Sequence, residues 1–357
     1  MFDQNLFLNK KVLITGNTGF KGSWLTLLIQ KLGGKVFGFS LDIPTSPAHF
    51  SLMSENLSLE MRYGDIASDA IKEYIEYIKP DFIFHLAAQA LVPESITKPN
   101  ETMLSNVMGM SYLLNSLRDY DSEINLILIT SDKVYSNSEW VWGYREIDRL
   151  GGKDPYSASK ACAELVISSY CDTFFKHKSN IKLGIARAGN VIGGGDWSAN
   201  RLIPDSFRAW QINKPVFLRN PSSTRPWQHV LEPIVGYVTL ADKISKNETN
   251  YEAYNFGPEY ESEYSVLSVI KRLENYWENF RYSLDNDDSI SKHESKLLAL
   301  NCDKAKHLLG WKPILNVEES ISYTAEWYAN YSNNPKTIIK FSQVQIDKYL
   351  QMVFNNG

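Results

Sequence analysis

The chain has 357 residues, 43% of them hydrophobic and 22% charged, with a net charge of −4 at pH 7. That is the composition of an ordinary globular protein able to bury a sizeable core, and it gives no electrostatic reason to expect nucleic acid as a partner. Three widely spaced cysteines, Cys162, Cys171 and Cys302, argue against a disulfide framework and show no metal-ligand spacing. Met1 to Lys10 lacks the features of a signal peptide and no apolar run approaches membrane-spanning length, so a cytoplasmic location is expected.

Lys11-Val12-Leu13-Ile14-Thr15 reads as a short strand, and a helical pattern starts near Phe20 and continues through Trp24, Leu25, Leu28, Ile29 and Leu32. The turn between them carries Gly16, Asn17, Gly19, Phe20 and Gly22. Glycines here permit a tight turn and close backbone approach, leaving helix N-terminal amides free to hold a pyrophosphate. Set between a strand and a helix at the start of an α/β chain, the pattern predicts dinucleotide binding.

A second strand, Lys35 to Ser40, leads into Leu41-Asp42. Asp42 either reaches a ribose 2′-hydroxyl, which favours NAD over NADP, or caps the loop containing Pro44 and Pro47. Leu59 to Tyr63 reads as a third strand, followed by Gly64-Asp65-Ile66 as a wall for an adenine. A helix over about Ser68 to Ile78 precedes a fourth strand, Phe82 to Leu86, capped by the small residues Ala87 and Ala88 and by Gln89. His85 has apolar neighbours on both sides and is expected to be a packed strand residue. A long helix over about Glu101 to Arg118 and a fifth strand, Ile124 to Thr130, complete an alternation that predicts a doubly wound parallel sheet.

The fifth strand opens into Ser131, Asp132 and Lys133 at a carboxyl edge, where ligands bind in such sheets. Farther on, Tyr156 and Lys160 are four apart, so on a helix they share a face and the ammonium favours the phenolate. A phenol so tuned acts as a base near neutral pH, although the spacing alone is a common one. Ile181 to Arg187 supplies a sixth strand, and its exit, Ala188 to Trp197, is too glycine-rich for regular structure and suits a loop around a ligand.

Beyond about Asn200 the alternation loosens. The expected architecture is a Rossmann-type domain over 1–190 and a smaller C-terminal substrate-binding lobe over 191–357, interleaved with it. Arg201, Arg219 and Arg225 are spread over that lobe, each either a phosphate partner or a solvated surface charge. Asn279 to Ser295 is polar and reads as a loop over the site. Ser265 to Trp277, Val317 to Tyr331 and the tail from Lys336 read as helices.

The glycine turn, the serine-bearing strand edge and Tyr156-x-x-x-Lys160 together resemble the extended short-chain dehydrogenase/reductases nearly end to end. More narrowly, Thr15 to Trp24, Thr130 to Tyr135, Asp154 to Lys160, Ala186 to Trp197 and Arg225 to Val230 resemble the CDP-glucose 4,6-dehydratases. The resemblance implies a tightly held NAD and a nucleotide-sugar substrate, CDP-glucose. Tyr156 would take the 4-hydroxyl proton, Ser131 bond the oxygen, and Lys160 hold the ribose. Asp132 would then help the 6-hydroxyl leave as water. Lys133 stands where related dehydratases place glutamate, and serves either as the C5 base or as a phosphate contact. Asn17 departs from a histidine usual in that branch. Arg225 resembles the arginine that pairs the diphosphate, with Asn190, Gln89, Arg201 and the Glu294 region near the substrate. A homodimer or homotetramer is implied, with Leu113, Leu114, Val166 and Ile167 as its seam. A sugar-nucleotide 4-epimerase would share Tyr156 and Lys160 without needing Asp132 and Lys133, and an NAD-binding regulator would need neither pair.

Overall fold

The computed structural model describes residues 2–53, 59–218, 220–259, 263–284 and 297–355. Its centre is a seven-stranded parallel sheet. Strands β1 (Lys11–Thr15), β2 (Lys35–Ser40), β3 (Glu60–Tyr63), β4 (Phe82–His85), β5 (Ile124–Ile129) and β6 (Ile181–Ala188) appear where the sequence places them. Spatially they run β3-β2-β1-β4-β5-β6, and the order reverses beside β1. That reversal opens the crevice at which open α/β sheets bind ligands. The fold is therefore the doubly wound Rossmann type.

Strand periodicity explains why both faces are covered. In β5, Ile124, Leu126 and Leu128 enter one apolar cluster, whereas Ile127 and Ile129 enter the other. In β4, Phe82 and Phe84 face the second cluster and Ile83 the first. A strand apolar on both sides is stable only when helices cover both faces.

The seventh strand, Glu252–Phe256, lies outside the N-terminal half and pairs in parallel with β6. It is reached through the helix Leu231–Ser245, thirteen of whose residues are buried. The alternation thus continues into the C-terminal half, where a helix apolar nearly all round hides the amphipathic signal that marks surface helices. A strand from the C-terminal half of the chain thus completes the sheet.

Three expectations on local structure change. The long helix begins at Pro99 and contains a π turn over Leu104–Met108 before Gly109–Ser116. Within the glycine-rich exit of β6, Val191–Ile192 forms a short strand paired in parallel with Gln228–His229. Of the stretch read as a loop from Asn279, Tyr282–Leu284 pairs with Val216–Leu218, and 285–296, with Glu294, lies outside the described residues. Arg219 also lies outside them.

The expected oligomer seam is corrected too. Leu113, Leu114 and Ile167 are fully buried in the core, and Val166 packs against it. The outward positions on these helices belong to Leu104, Met108 and Leu165. Among the described residues no helix is long and apolar enough to cross a membrane.

Candidate active site

The glycine turn is built by backbone against backbone. Gly16 has φ +71, and a Cβ there would stand 2.7 Å from the Ala87 amide nitrogen. A Cβ on Gly22 would stand 2.2 Å from the Gly16 carbonyl oxygen. Helix α1 (Phe20–Lys31) starts from Gly19 with no side-chain cap and no acidic residue in its first turn. Its first amides and the positive end of its dipole thus have no acidic side chain of their own turn to satisfy them. This cradle fits a dinucleotide pyrophosphate.

The residues expected around it divide in two. Ala87 and Ala88 are half-buried at the end of β4, and Asp42 is exposed at the end of β2, its carbonyl accepting from the Thr18 hydroxyl at 2.6 Å. Asp65 is exposed and its Oδ1 accepts from the Ala67 amide at 2.9 Å, while Ile66 is buried beneath Gly109. Asn17, by contrast, turns inward: its Oδ1 accepts from the Ser40 hydroxyl at 2.9 Å and its amide donates to the Met61 sulfur at 2.9 Å. The Asn17 side chain is fully buried, so it braces the turn against β2.

At the carboxyl edge of β5, Ser131 caps the short 3₁₀ turn Asp132–Val134. Its hydroxyl donates to Asp132 Oδ1 at 2.9 Å and accepts from the Lys133 amide at 3.2 Å. The helix carrying Tyr156 and Lys160, Pro155–Tyr170, begins there because Pro155 suits the first turn and Asp154 caps it, accepting from the Ser157 amide at 2.9 Å. Tyr156, on that helix, feels Ser131 at the end of β5. Burial pushes the phenol up to about 12, Ser131 and Arg201 pull it down, and Asp132 and Asp154 push it up. The largest cationic influence on it is thus Arg201, where the sequence pointed to Lys160. Lys160 is itself buried and drawn down to about 8 by desolvation, against which Glu164 acts upward.

Arg201 comes from farther along the chain. It stands at the start of the helix Leu202–Gln211 and its guanidinium donates to Asp196 Oδ2 at 2.9 Å. Asp196 raises the Arg201 pKa further, so the cation is permanent. The Lys133 ammonium makes no hydrogen bond or ion pair among the described residues and is half-buried. Arg225 is half-buried in a strand paired with Glu263–Ser265, donating to the Thr224 carbonyl at 2.9 Å, and Asn190 is exposed. Gln89 does not point a free amide at the site. Its Nε2 donates to the Leu91 carbonyl at 2.8 Å and its Oε1 accepts from the Leu91 amide at 3.0 Å. His85 is packed as expected, bonded to the Thr15 hydroxyl at 2.7 Å and held down at about 3 by burial and by Lys160.

Two site residues escaped the sequence reading. Lys21, second in α1, is drawn down to about 8 by burial and feels Arg201, Asp132 and Lys160, so it faces the same space. Its signal was present: it sits inside the glycine turn, with the glycines drawing attention away from it. Asn106, in the π turn, accepts from the Gln89 amide at 2.8 Å and donates to the Gln89 carbonyl and the Ser159 hydroxyl. It ties the end of β4 to the Tyr156 helix, and helical periodicity carries no mark of it.

The model of the GDP-mannose 4,6 dehydratase family matches residues 13–324. A CDP-glucose 4,6-dehydratase of Salmonella typhimurium is 40% identical, over 98% of this chain and 99% of its own. Among solved structures, the epimerase Mth375 of Methanothermobacter thermautotrophicus superposes with a TM-score of 0.81 at 23% identity, over 94% of this chain and 96% of its own. A dTDP-glucose 4,6-dehydratase of Bacillus anthracis in complex with NAD superposes at 0.73 and 21%, over 91% of this chain and 98% of its own.

Proposed function

Because the chain belongs to the GDP-mannose 4,6 dehydratase family of extended short-chain dehydrogenase/reductases, we propose that it is an NAD-dependent sugar-nucleotide 4,6-dehydratase acting on CDP-glucose. The observation that carries this reading is the meeting of Ser131, Asp132 and Tyr156 at the end of β5, beside a glycine cradle free of side-chain caps. The product is CDP-4-dehydro-6-deoxy-glucose, with one water released.

Gly16, Gly19, Phe20, Gly22, Ala87 and Ala88 hold the cofactor, with Asp42 at the adenosine ribose and Lys160 at the other. When bound, NAD supplies the acceptor for the C4 hydride and the donor that returns it to C6. Tyr156 removes the 4-hydroxyl proton, and Ser131 donates a hydrogen bond to the oxygen as its charge grows. A phenol near 12 is almost wholly neutral at pH 7, so Tyr156 becomes a base only as positive charge is brought against it. The C4 ketone acidifies C5–H. The Lys133 amine, without a partner among the described residues, removes that proton in its neutral form, and Asp132 in its acid form protonates the departing 6-hydroxyl. Arg225 pairs the diphosphate.

The 40% identity to an enzyme of that name supports the cytidine nucleotide. The proposal extends to a homodimer formed across the paired helices, with Leu104, Met108 and Leu165 outward. Sedimentation velocity at micromolar concentration checks this, and a purely monomeric profile contradicts it. For the reaction itself, purified protein is incubated with CDP-, dTDP-, UDP- and GDP-sugars and the products weighed. Loss of one water from CDP-glucose supports the reading; an unchanged mass with all of them removes it.

A further inference from the structure

A cluster behind the site is not used by the chemistry above. Glu164 lies four residues after Lys160 on the same helix and is 3% exposed. Its Oε1 accepts from the Thr130 hydroxyl at 2.6 Å and from Arg187 Nε at 2.8 Å, and its Oε2 takes Arg187 Nε at 3.1 Å and Nη2 as well. Arg187, on β6, is 4% exposed and also donates to the Tyr135 hydroxyl at 2.8 Å and the Glu146 carbonyl at 2.9 Å. Thr130 immediately precedes Ser131. One carboxylate therefore ties the Lys160 helix to β6 and to the strand edge that bears Ser131 and Asp132.

Burying an ion pair is costly and rarely stabilises a protein beyond what apolar side chains of similar volume would do. A buried pair at this place is better explained by what stands next to it. Lys160 is 7% exposed, and the charged or titratable groups that act on it or feel it come from three elements. Lys21 on α1 is a second cation, and His85 on β4 is held neutral by burial. Glu164, on the lysine's own helix, is the anion of the set.

We infer that Glu164 is a positioning residue for the proposed reaction, which keeps Lys160 charged and fixes the Lys160 helix against the end of β5. This rests on the dehydratase reading for its consequence in turnover, but the claim about Lys160 stands on the protein alone. Arg187 has a matching role: its guanidinium neutralises part of the Glu164 charge and so limits how firmly the Lys160 proton is held.

The test reads Lys160 directly. The full chain is labelled with ¹³C at the lysine ε-carbons, the Lys160 signal is assigned by its loss in Lys160→Arg, and its titration is followed without substrate. In E164Q/R187M, which removes both buried charges and avoids leaving one unpaired, the midpoint falls by about one pH unit. In R187M, where Glu164 retains Lys160 as its cationic neighbour, the midpoint rises. If the double variant does not fold, the direction in R187M decides alone. Midpoints unmoved in a folded double variant, or a fall in R187M, would overturn the inference. The companion readout is the basic limb of kcat/KM against pH for turnover of CDP-glucose. It moves to lower pH in the double variant by the same amount, which at a fixed high pH reads as a roughly tenfold loss of kcat/KM. A wild-type protein that turns over no nucleotide sugar would defeat the functional reading and leave the Lys160 titration to be judged separately.

Discussion

Two glycine-rich segments border the site, and they use glycine for opposite reasons. In the turn at Gly16 to Gly22, main chain approaches main chain: the atoms a Cβ would meet belong to the backbone of Leu86, Ala87, Gly16 and Asn17. In the loop at Gly193 to Gly195, side chains press in from elsewhere. A Cβ on Gly194 would fall 1.9 Å from Trp327 Cγ, and one on Gly195, at φ +82, would fall 2.7 Å from His49 Cβ. The first segment is local geometry that exposes amides to a ligand. The second is a piece of core, clamped by Trp24 Nε1 donating to the Gly194 carbonyl at 2.9 Å and by Tyr328 donating to the Asp196 carbonyl. It holds Asp196, whose carboxylate pairs Arg201 at 2.9 Å.

The comparison is broken most strongly at Gly22. Gly22→Val places atoms where the Gly16 carbonyl already stands, so NAD affinity measured by calorimetric titration should fall by roughly 100-fold or more, equivalent to about 2.7 kcal/mol. Near wild-type affinity would show that the turn is not the pyrophosphate cradle.

Gly194→Ala should behave differently. Trp327 is fully buried and its indole N–H donates to the Ser342 hydroxyl at 2.8 Å, so it has little room to withdraw. Overpacking should cost about 1–3 kcal/mol in denaturant unfolding, while NAD affinity stays within a few-fold. A loss of NAD binding larger than the loss of stability would erase the distinction between the two segments.

Glu232 sharpens the same contrast through pH. It is fully buried, and accepts from the Leu315 amide at 2.7 Å, the Ile314 amide and the Tyr349 hydroxyl, pinning the C-terminal helix to the lobe that holds Arg201. Burial pushes its carboxyl up to about 7, against the pull of those donors. A raised folded-state value means the folded protein binds the proton more tightly than the unfolded chain. Its contribution is therefore full below the ordinary glutamate range and is lost as pH rises through about 7. The span is on the order of 3 kcal/mol. Glu232→Gln should flatten the fall in stability between pH 5 and 8 in urea titrations; an unchanged slope would assign that fall to other groups.

The smallest effect is expected at Tyr328→Phe, which keeps the ring and removes the O–H that holds the Asp196 carbonyl. A loss of about 1 kcal/mol in unfolding free energy is expected, and no loss would mean the clamp contributes nothing.

The first glycine segment was legible in the sequence and the second only in part, for a physical reason. Spacing reports neighbours along the chain, so Gly16, Gly19 and Gly22 between a strand and a helix carried their meaning with them. Trp327, His49 and Val230 meet the second segment only after folding. The same holds at the reacting centre. Ser131, Tyr156 and Lys160 stand out in the sequence because helix and strand periodicity, with a family resemblance, mark them. That Arg201 acts on the phenol depends on a segment far along the chain, which spacing around Tyr156 does not report. Asn17 and Gln89 were drawn toward ligands by their positions, yet their amides found protein partners in Ser40, Met61 and Leu91. The strand Glu252–Phe256 was missed because the helix before it is buried nearly all round and has no polar face to mark it.

The central claim is that one hydride leaves C4 and returns to C6 inside a single closed site. CDP-glucose carrying deuterium at C4 is incubated with the enzyme and NAD, and the product is examined by NMR and mass spectrometry. The account expects a 4-keto-6-deoxy product lighter by one water, with the deuterium at C6, solvent hydrogen at C5 and no free deuterated NADH, all abolished by Tyr156→Phe. Deuterium retained at C4 with inverted configuration would make the protein an epimerase and contradict the account.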